Sequence, residues 1–483
     1  MPMKNKPLNS HAGTWRRPGG IVLLSILLLI PCFWQSRIQA GDFSSHVYNA
    51  WLAVQIQQGK VHGLSVVTQS NNVLFDLLLQ WLLRHVGLNL AQRLAASVVV
   101  LIFSWGAIAF ISALARKNSC FVAPSVAMLA YGFIYHLGFF NFYLSMGICL
   151  CYLAIFQKFG WRARMFSLPL LMLAWLAHPF PVIWALGMAA YLLVATRLRG
   201  WTRLWFFLLG IAALIAARFV LMAIYPCTWT SKQVYFITGA NQVLVYGPKY
   251  ILIFCGWLLT WVMLLRNLMR EQGVMPVLSS LPFQLWLLNA VGTWLMPNSV
   301  TFPHYALPFT YVIDRTSFAA AIMACAVLAA APMKLPERTA LIAITVAFFC
   351  FLYRDTRELN QIEGNIDAVV TRIPPGQRVI GHFPAWSNRA DPLNHAVDRA
   401  CIGHCLAYAN YEPSSLQFRV RAQPGNGVVM DNYDDVHAVE KGTYTIEPRD
   451  LPLYAAYLCD VRRREVCLRP MQAGETTSGL GFR

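Results

Sequence analysis

At 483 residues, the chain is 57% hydrophobic and only 12% charged, a balance that excludes an ordinary soluble enzyme and a disordered tail. Its net charge of +18 would suit nucleic acid, but the Lys and Arg stand in short clusters between apolar runs rather than on one basic face. Such clusters report membrane topology, and no nucleic-acid partner is expected.

The first apolar run, Ile21 to Trp34, follows Lys4, Lys6, Arg16 and Arg17 and has no small-residue cleavage site before the polar stretch. It reads as a retained helix behind a cytoplasmic N-terminus of residues 1–20. Further basic clusters fall at Arg116/Lys117, Lys158/Arg162/Arg164, Arg197/Arg199/Arg203, Arg266/Arg270 and Lys334/Arg338. Each is separated from the next by enough apolar sequence for two crossings of about 30 Å of hydrocarbon. With all of them inside, sixteen Lys and Arg face seven in the opposite loops, and Arg218 stands alone within a helix.

That assignment predicts an α-helical polytopic membrane domain over residues 21–353. It has about eleven transmembrane helices, the N-terminus inside and the C-terminus outside. Approximate cores are 21–37, 94–115, 119–135, 141–157, 166–178, 181–196, 204–224, 249–265, 277–296, 316–333 and 339–353. At "AHPFPVIW" the prolines after His178 divide one run into two short helices, because proline removes a donor and clashes with the previous turn. A single kinked helix there would reverse everything downstream.

Residues 41–93 then form the first external loop. "HVYNAWLAVQIQQG" places Val47, Ala50, Trp51 and Val54 on one helical face and ends at Gly59. "VLFDLLLQWLLRHVGL" makes a helix of only about 24 Å over residues 73–88, with Asn72, Asp76, Gln80 and Arg84 as one polar line. Both are predicted to lie at the membrane surface, the polar line forming an intrahelical network. A true crossing at 73–88 is the alternative and would move Arg116 and Lys117 outside.

Of 21 acidic residues, five precede position 354 and sixteen follow it, so an extracytoplasmic C-terminal domain is predicted over 354–483. "RDTRELNQIEGNIDAVVTRI" reads as a helix, "PPGQ" as a turn and "RVIGHF" as a strand, giving a soluble α/β class. Its four cysteines, Cys401, Cys405, Cys459 and Cys467, favour two disulfides with three pairings open. "CIGHC" also offers zinc ligands.

In the membrane region only Asp42, Asp76 and Asp314 face the external side. A carboxylate there can take a proton from a hydroxyl nucleophile while the adjoining lipid holds a hydrophobic substrate. Asp42, in "AGDFSSHVYNAW", is the best candidate base, and an N-cap for the following helix is the competing role. His46 lies one turn on, close enough to orient the Asp42 carboxylate or touch substrate. Asp76 is the third catalytic candidate, with Arg84 on its line. Asp314 adjoins Arg315, where an ion pair or cap competes with function. Arg218, His304 and Arg315 could together bind a phosphate, Arg offering a two-pronged fork, and His178 at the proline break joins the substrate-binding candidates.

The inside N-terminus, the acid just after the first helix, the two juxtamembrane helices and the distal soluble domain together resemble the GT-C superfamily of membrane glycosyltransferases. So does the local style of "GDFSSHVYNAW", "NNVLFDLLLQWLLRHVG" and "GFFNFYLSMGICLCYLAIF". The nearest type is that of bacterial relatives of the protein O-mannosyltransferases and aminoarabinose transferases. The resemblance covers residues 15–353. It implies a multi-pass protein of the bacterial inner membrane that moves a sugar from a polyprenyl-phosphate or polyprenyl-diphosphate donor to an external acceptor hydroxyl. It further implies Asp42 as the base and Arg218 or Arg315 as the group that neutralises the departing lipid phosphate. Many members carry two acids in that loop motif where "GDFSSH" has one, so Asp76 is the candidate second acid and a divalent cation stays open. The alternatives are a non-catalytic transporter or assembly component of envelope polysaccharide export, and a polymerase or ligase of lipid-linked glycans.

Overall fold

The computed structural model describes residues 18–115, 120–303, 305–460 and 463–480. It begins with α1 (Pro18–Phe33), which stops short of the predicted 37 two residues after Pro31. Then come α2 (Phe43–Gln57), β1 (Leu64–Val66), α3 (Leu74–Val86) and the long α4 (Leu88–Ala115). The run expected as one helix over 119–135 is broken into α5 (Ala123–Ala130) and α6 (Phe133–His136). The break is at Gly132, where a Cβ would meet the Gln242 carbonyl oxygen at 2.8 Å. Helices α7 (Phe140–Lys158), α8 (Trp161–Phe166), α9 (Leu168–Ala177), α10 (Pro179–Ala195) and α11 (Gly200–Ile224) follow, the single extended residue His178 separating α9 from α10.

After β2 (Cys227–Thr228) the chain forms α12 (Tyr250–Gln272), α13 (Val274–Leu278) and α14 (Leu281–Leu295), and β3 (Ser299–Val300) pairs back with β2. Then come α15 (Val312–Leu328) and α16 (Leu335–Val370). The composition change at 354 falls inside α16, which runs unbroken from its apolar half into its acidic half. Five helices, α4, α7, α11, α12 and α16, are long and apolar enough to cross a bilayer.

Side-chain contacts give the sense of several neighbours. Trp105 of α4 donates to Ser25 of α1 while Arg93 reaches the Gln35 carbonyl, so α1 and α4 run antiparallel. Lys249 meets Asp355 and Asn267 meets Glu337, so α12 and α16 do too. Helices α4 and α7 run parallel and touch through small residues, a Cβ on Gly106 meeting the Gly147 carbonyl oxygen at 2.6 Å.

The rest of the chain caps the bundle at the end where α1 hands over to α2. It contains β4 (Arg378–His382), α17 (Ala396–Ala400), β5 (Leu406–Ala407), α18 (Tyr411–Ser415), β6 (Val420–Ala422), α19 (Tyr433–Glu440), β7 (Leu453–Asp460) and β8 (Glu465–Pro470). The sheet has order β5-β4-β7-β8, with β4 parallel to β5 and β7 and β8 antiparallel to β7. The cysteines pair as Cys401–Cys405 and Cys459–Cys467, and His404 bonds the Ile373 carbonyl, so "CIGHC" is a disulfide loop rather than a zinc site.

This cap and the first loop are one structure. Strand β1 from the loop pairs with β6 from the cap, Leu64 opposite Ala422. Arg399 donates to both oxygens of Glu363 on α16 and to the Ile38 carbonyl, and Gln39 donates to the same Glu363. Under that cover α2 is buried on every side from Phe43 to Ala50, which overturns its placement as a surface helix with one apolar face. Helix α3 keeps an outward stripe of Leu77, Trp81 and Val86. Its polar line does not close on itself: Gln80 and Arg84 both donate to Gln57 of α2, and Asp76 turns to α2 and α7.

Candidate active site

Asp42 precedes α2 with helical backbone angles, and its side chain makes no cap hydrogen bond, so the capping role is unfilled. Its backbone is fixed from the other side. Gly41 N–H donates to the His136 carbonyl at 2.9 Å and Asp42 N–H to the Leu137 carbonyl at 3.1 Å. Gly138, with φ +86°, lets the α6–α7 turn lie flat against that backbone. The carboxylate is left free to face the interface between bundle and cap, with 32% of the Asp42 side chain open.

Across that interface His395 Nε2 stands 3.8 Å from Asp42 Oδ1, and His395 Nδ1 stands 3.4 Å from Asp398 Oδ2. The Tyr411 ring packs on the imidazole at 5.0 Å. Burial alone would lower the pKa of His395, but Asp398 and Asp42 outweigh it and push the ring up to about 9. Burial raises the Asp42 carboxyl above its ordinary range against the pull of His395, His46 and Arg315. A raised pKa makes this carboxylate a stronger proton acceptor, and the cationic His395 helps keep it ionised.

His46 turns away from Asp42. Its Nδ1 donates to Asp76 Oδ1 at 2.7 Å and lies 3.9 Å from Glu412 Oε1 of the cap. Asn141 of α7 donates to Asp76 Oδ2 at 2.8 Å. Both Asp76 oxygens are therefore engaged, one by His46 and the other by Asn141. Burial opposes charge on His46, yet Asp76, Glu412 and Asp42 raise it to about 9, while burial pushes the Glu412 carboxyl up. The acids are bridged by a ring. Among the described residues no group of three His, Cys, Asp or Glu side chains converges as a metal ion requires.

Arg315 and Asp314 open α15 after Tyr311, whose φ of +56° puts a bulky residue in the left-handed region and turns the chain sharply into the helix. The Arg315 guanidinium is buried and surrounded by the rings of Phe139, Phe309 and Phe142 at 4.2, 4.6 and 5.1 Å. Its Nη1 lies 3.1 Å from His178 Nε2, its Nε has no hydrogen-bond partner, and no carboxylate lies within 4.0 Å among the described residues. Asp314 faces Arg389 of the cap at 3.6 Å rather than its neighbour, and Arg389 lies 3.8 Å over the Phe133 ring. Phe139 under Arg315 belongs to the turn that seats Asp42, so one short segment positions both groups.

The other candidates lie apart from this group. Arg218 donates to the Leu295 carbonyl at 3.3 Å and packs 3.9 Å over Trp229, sharing no partner with Asp42 or Arg315 among the described residues. Arg84 serves the α2–α3 seam. His304 lies outside the described residues. The structure adds His395, Asp398, Arg389, Tyr411 and Glu412, all from the cap. "NHAVD" does space His395 and Asp398 to meet on one helix turn, but no sequence pattern says that they fold onto a loop some 350 residues away. Comparison with models of known protein families, with curated proteins and with solved structures found no match to this chain.

Proposed function

We propose that the protein is a multi-pass membrane glycosyltransferase. It moves a sugar from a polyprenyl-phosphate or polyprenyl-diphosphate donor to an acceptor hydroxyl at the outer face of the bacterial inner membrane. The eleven apolar segments α1, α4, α5 with α6, α7, α9, α10, α11, α12, α14, α15 and α16 are its spans, with the cap outside. The observation that carries this reading is the pairing of an uncapped, partly open Asp42 with a buried Arg315 that lacks a carboxylate partner. One group can accept a proton and the other can face a phosphate.

In this reading the acceptor O–H gives its proton to Asp42 as its oxygen bonds to the anomeric carbon. The bond from that carbon to the lipid phosphate breaks, and the electron pair leaves on the phosphate. Arg315 meets the resulting charge in a site whose aromatic walls exclude water, where a fixed cation is worth more than in solvent. His178 orients the fork and His395 holds Asp42 ionised.

The test is profiling of lipid-linked donors and envelope glycans in cells carrying the native or the Asp42→Asn protein. Asparagine keeps the size and removes proton acceptance. We expect a folded, inserted variant with transfer reduced about 100- to 10,000-fold and donor accumulated. Near-normal transfer by a well-expressed variant rejects the reading. Arg315→Lys keeps the charge and loses the fork, so donor KM should rise.

A further inference from the structure

We infer that the cap carries the acceptor subsite: an open pocket at the carboxyl end of β4, beside His395, that takes a hydroxyl-rich saccharide bearing no phosphate. This rests on the glycosyltransferase reading and names the second substrate of the same site.

Three observations converge on the cavity. The first is its position. Strand β4 pairs with β5 only at Arg378 and Val379, so from Ile380 to His382 its β5 side has no ladder partner. Crevices at the carboxyl ends of parallel strands are where open α/β sheets bind ligands. The second is an orphaned acceptor. Asp398 is buried, lines the cavity, and its Oδ2 has no hydrogen-bond partner beyond the His395 ring at 3.4 Å. A buried carboxylate oxygen without a donor is costly, and a sugar hydroxyl would supply one.

The third is charge. Asp398 and Glu440 line the cavity with His382, His395 and Asn394, and no Lys or Arg does. The two carboxylates outnumber the one cationic ring, His395, so the lining disfavours a phosphate and favours hydroxyl or ammonium donors. On the other side of Asp42 the balance is reversed, with Arg315 and Arg389 among rings. The two charge environments sort the two substrates: the lipid phosphate on the bundle side and the acceptor on the cap side. His395 belongs to both, forming the cavity wall and standing 3.8 Å from Asp42.

The test uses full-length protein in lipid nanodiscs and reads binding by saturation-transfer NMR with glucose, glucosamine and glucose 6-phosphate as probes. Glucose and glucosamine should bind and the phosphate should not. Ala409→Trp, which fills the cavity from the segment two residues past β5, should abolish the signal. Glu440→Lys, at an exposed rim position that does not threaten folding, should weaken glucosamine about two- to fivefold and admit glucose 6-phosphate. Asp42→Asn should bind as the native protein does. Absence of glucose and glucosamine binding, binding that survives Ala409→Trp in a folded protein, or a native preference for the phosphate overturns the subsite. Retained transfer by Asp42→Asn overturns the glycosyltransferase reading separately, because sugar binding is measured without turnover.

Discussion

Helix α11 buries only Phe207 of its 25 residues and turns Trp205, Leu209, Phe219 and Ile224 outward. Helix α2 buries Ser44, Ser45, His46 and Asn49 along with Phe43, Val47 and Tyr48. Polarity and burial are inverted between them. An apolar helix can stay exposed only if its surroundings are as apolar as it is, which is the condition lipid supplies. Three of these four polar residues find partners inside the fold: His46 has Asp76, Ser45 has Glu412, and Asn49 exchanges hydrogen bonds with Asn410 of the cap, while the Ser44 hydroxyl has none. In this chain hydropathy marks the helices suited to lipid, and hydrogen-bond partners mark what the cap covers.

The sharpest way to break the α2 side of that contrast is Gly138→Ala. A Cβ would press into the backbone of Asp42 and Phe43, meeting the Phe43 nitrogen at 2.8 Å, and φ +86° is strained for any L side chain. Overpacking of this kind costs about 1–3 kcal/mol, and the left-handed backbone adds about 1 kcal/mol or more. We expect a lower melting temperature and, under the proposed function, lost transfer, since the same turn seats Asp42. A variant with native stability and native transfer would mean that α2 is not wedged there.

The α11 side is tested with a pair of substitutions at an outward position. Leu209→Ala removes no packed neighbour and should change stability by less than about 0.5 kcal/mol. Leu209→Arg puts a charge near the middle of this apolar helix and, with α11 spanning as proposed, should cost about 2.5–3.5 kcal/mol in insertion, read as loss of the membrane-integrated fraction. Equal tolerance of both would place α11 in water.

The same division decides what could be read from residues alone. Long apolar runs were legible as helices because one apolar pattern extends along a whole segment: five of the helices at the predicted positions are long and apolar enough to cross a bilayer, the break at His178 falls where the prolines placed it, and the run over 119–135 is divided at Gly132. The short polar-lined α3 was legible from its four-residue spacing. The burial of α2 was not, since nothing within Phe43–Gln57 says that a domain more than 300 residues later will cover it. Strand β1 is three residues long and exists by pairing with β6. Asp42 could be singled out because acids are scarce before 354, whereas Arg315 stood only as one of three candidate phosphate groups, with Arg218 and His304. His395 sits in the acid-rich part, where one more polar residue carries no signal until the fold brings its ring to Asp42.

A further expected effect, read through pH rather than substitution, is a pH dependence of the α2–cap seam. His46 and His395 have ordinary values of 6.5 that rise to about 9 in the fold. A histidine held this way binds its proton more tightly when folded, so its contribution is whole below about pH 6.5 and is lost as pH climbs through about 9. Glu412, also raised, acts in the same sense, because its folded form prefers the proton and each step above its unfolded value weakens the fold. Melting temperature in nanodiscs should therefore fall between pH 6.5 and 9, with a slope of up to about 1.4 kcal/mol per pH unit for each histidine. His46→Gln, which can still donate to Asp76 but carries no charge, should be less stable at pH 6.5 and flatten the slope. A melting temperature that holds constant to pH 9 in the native protein would mean that His46 enters the fold neutral, and that the acids around it are satisfied by hydrogen bonds alone.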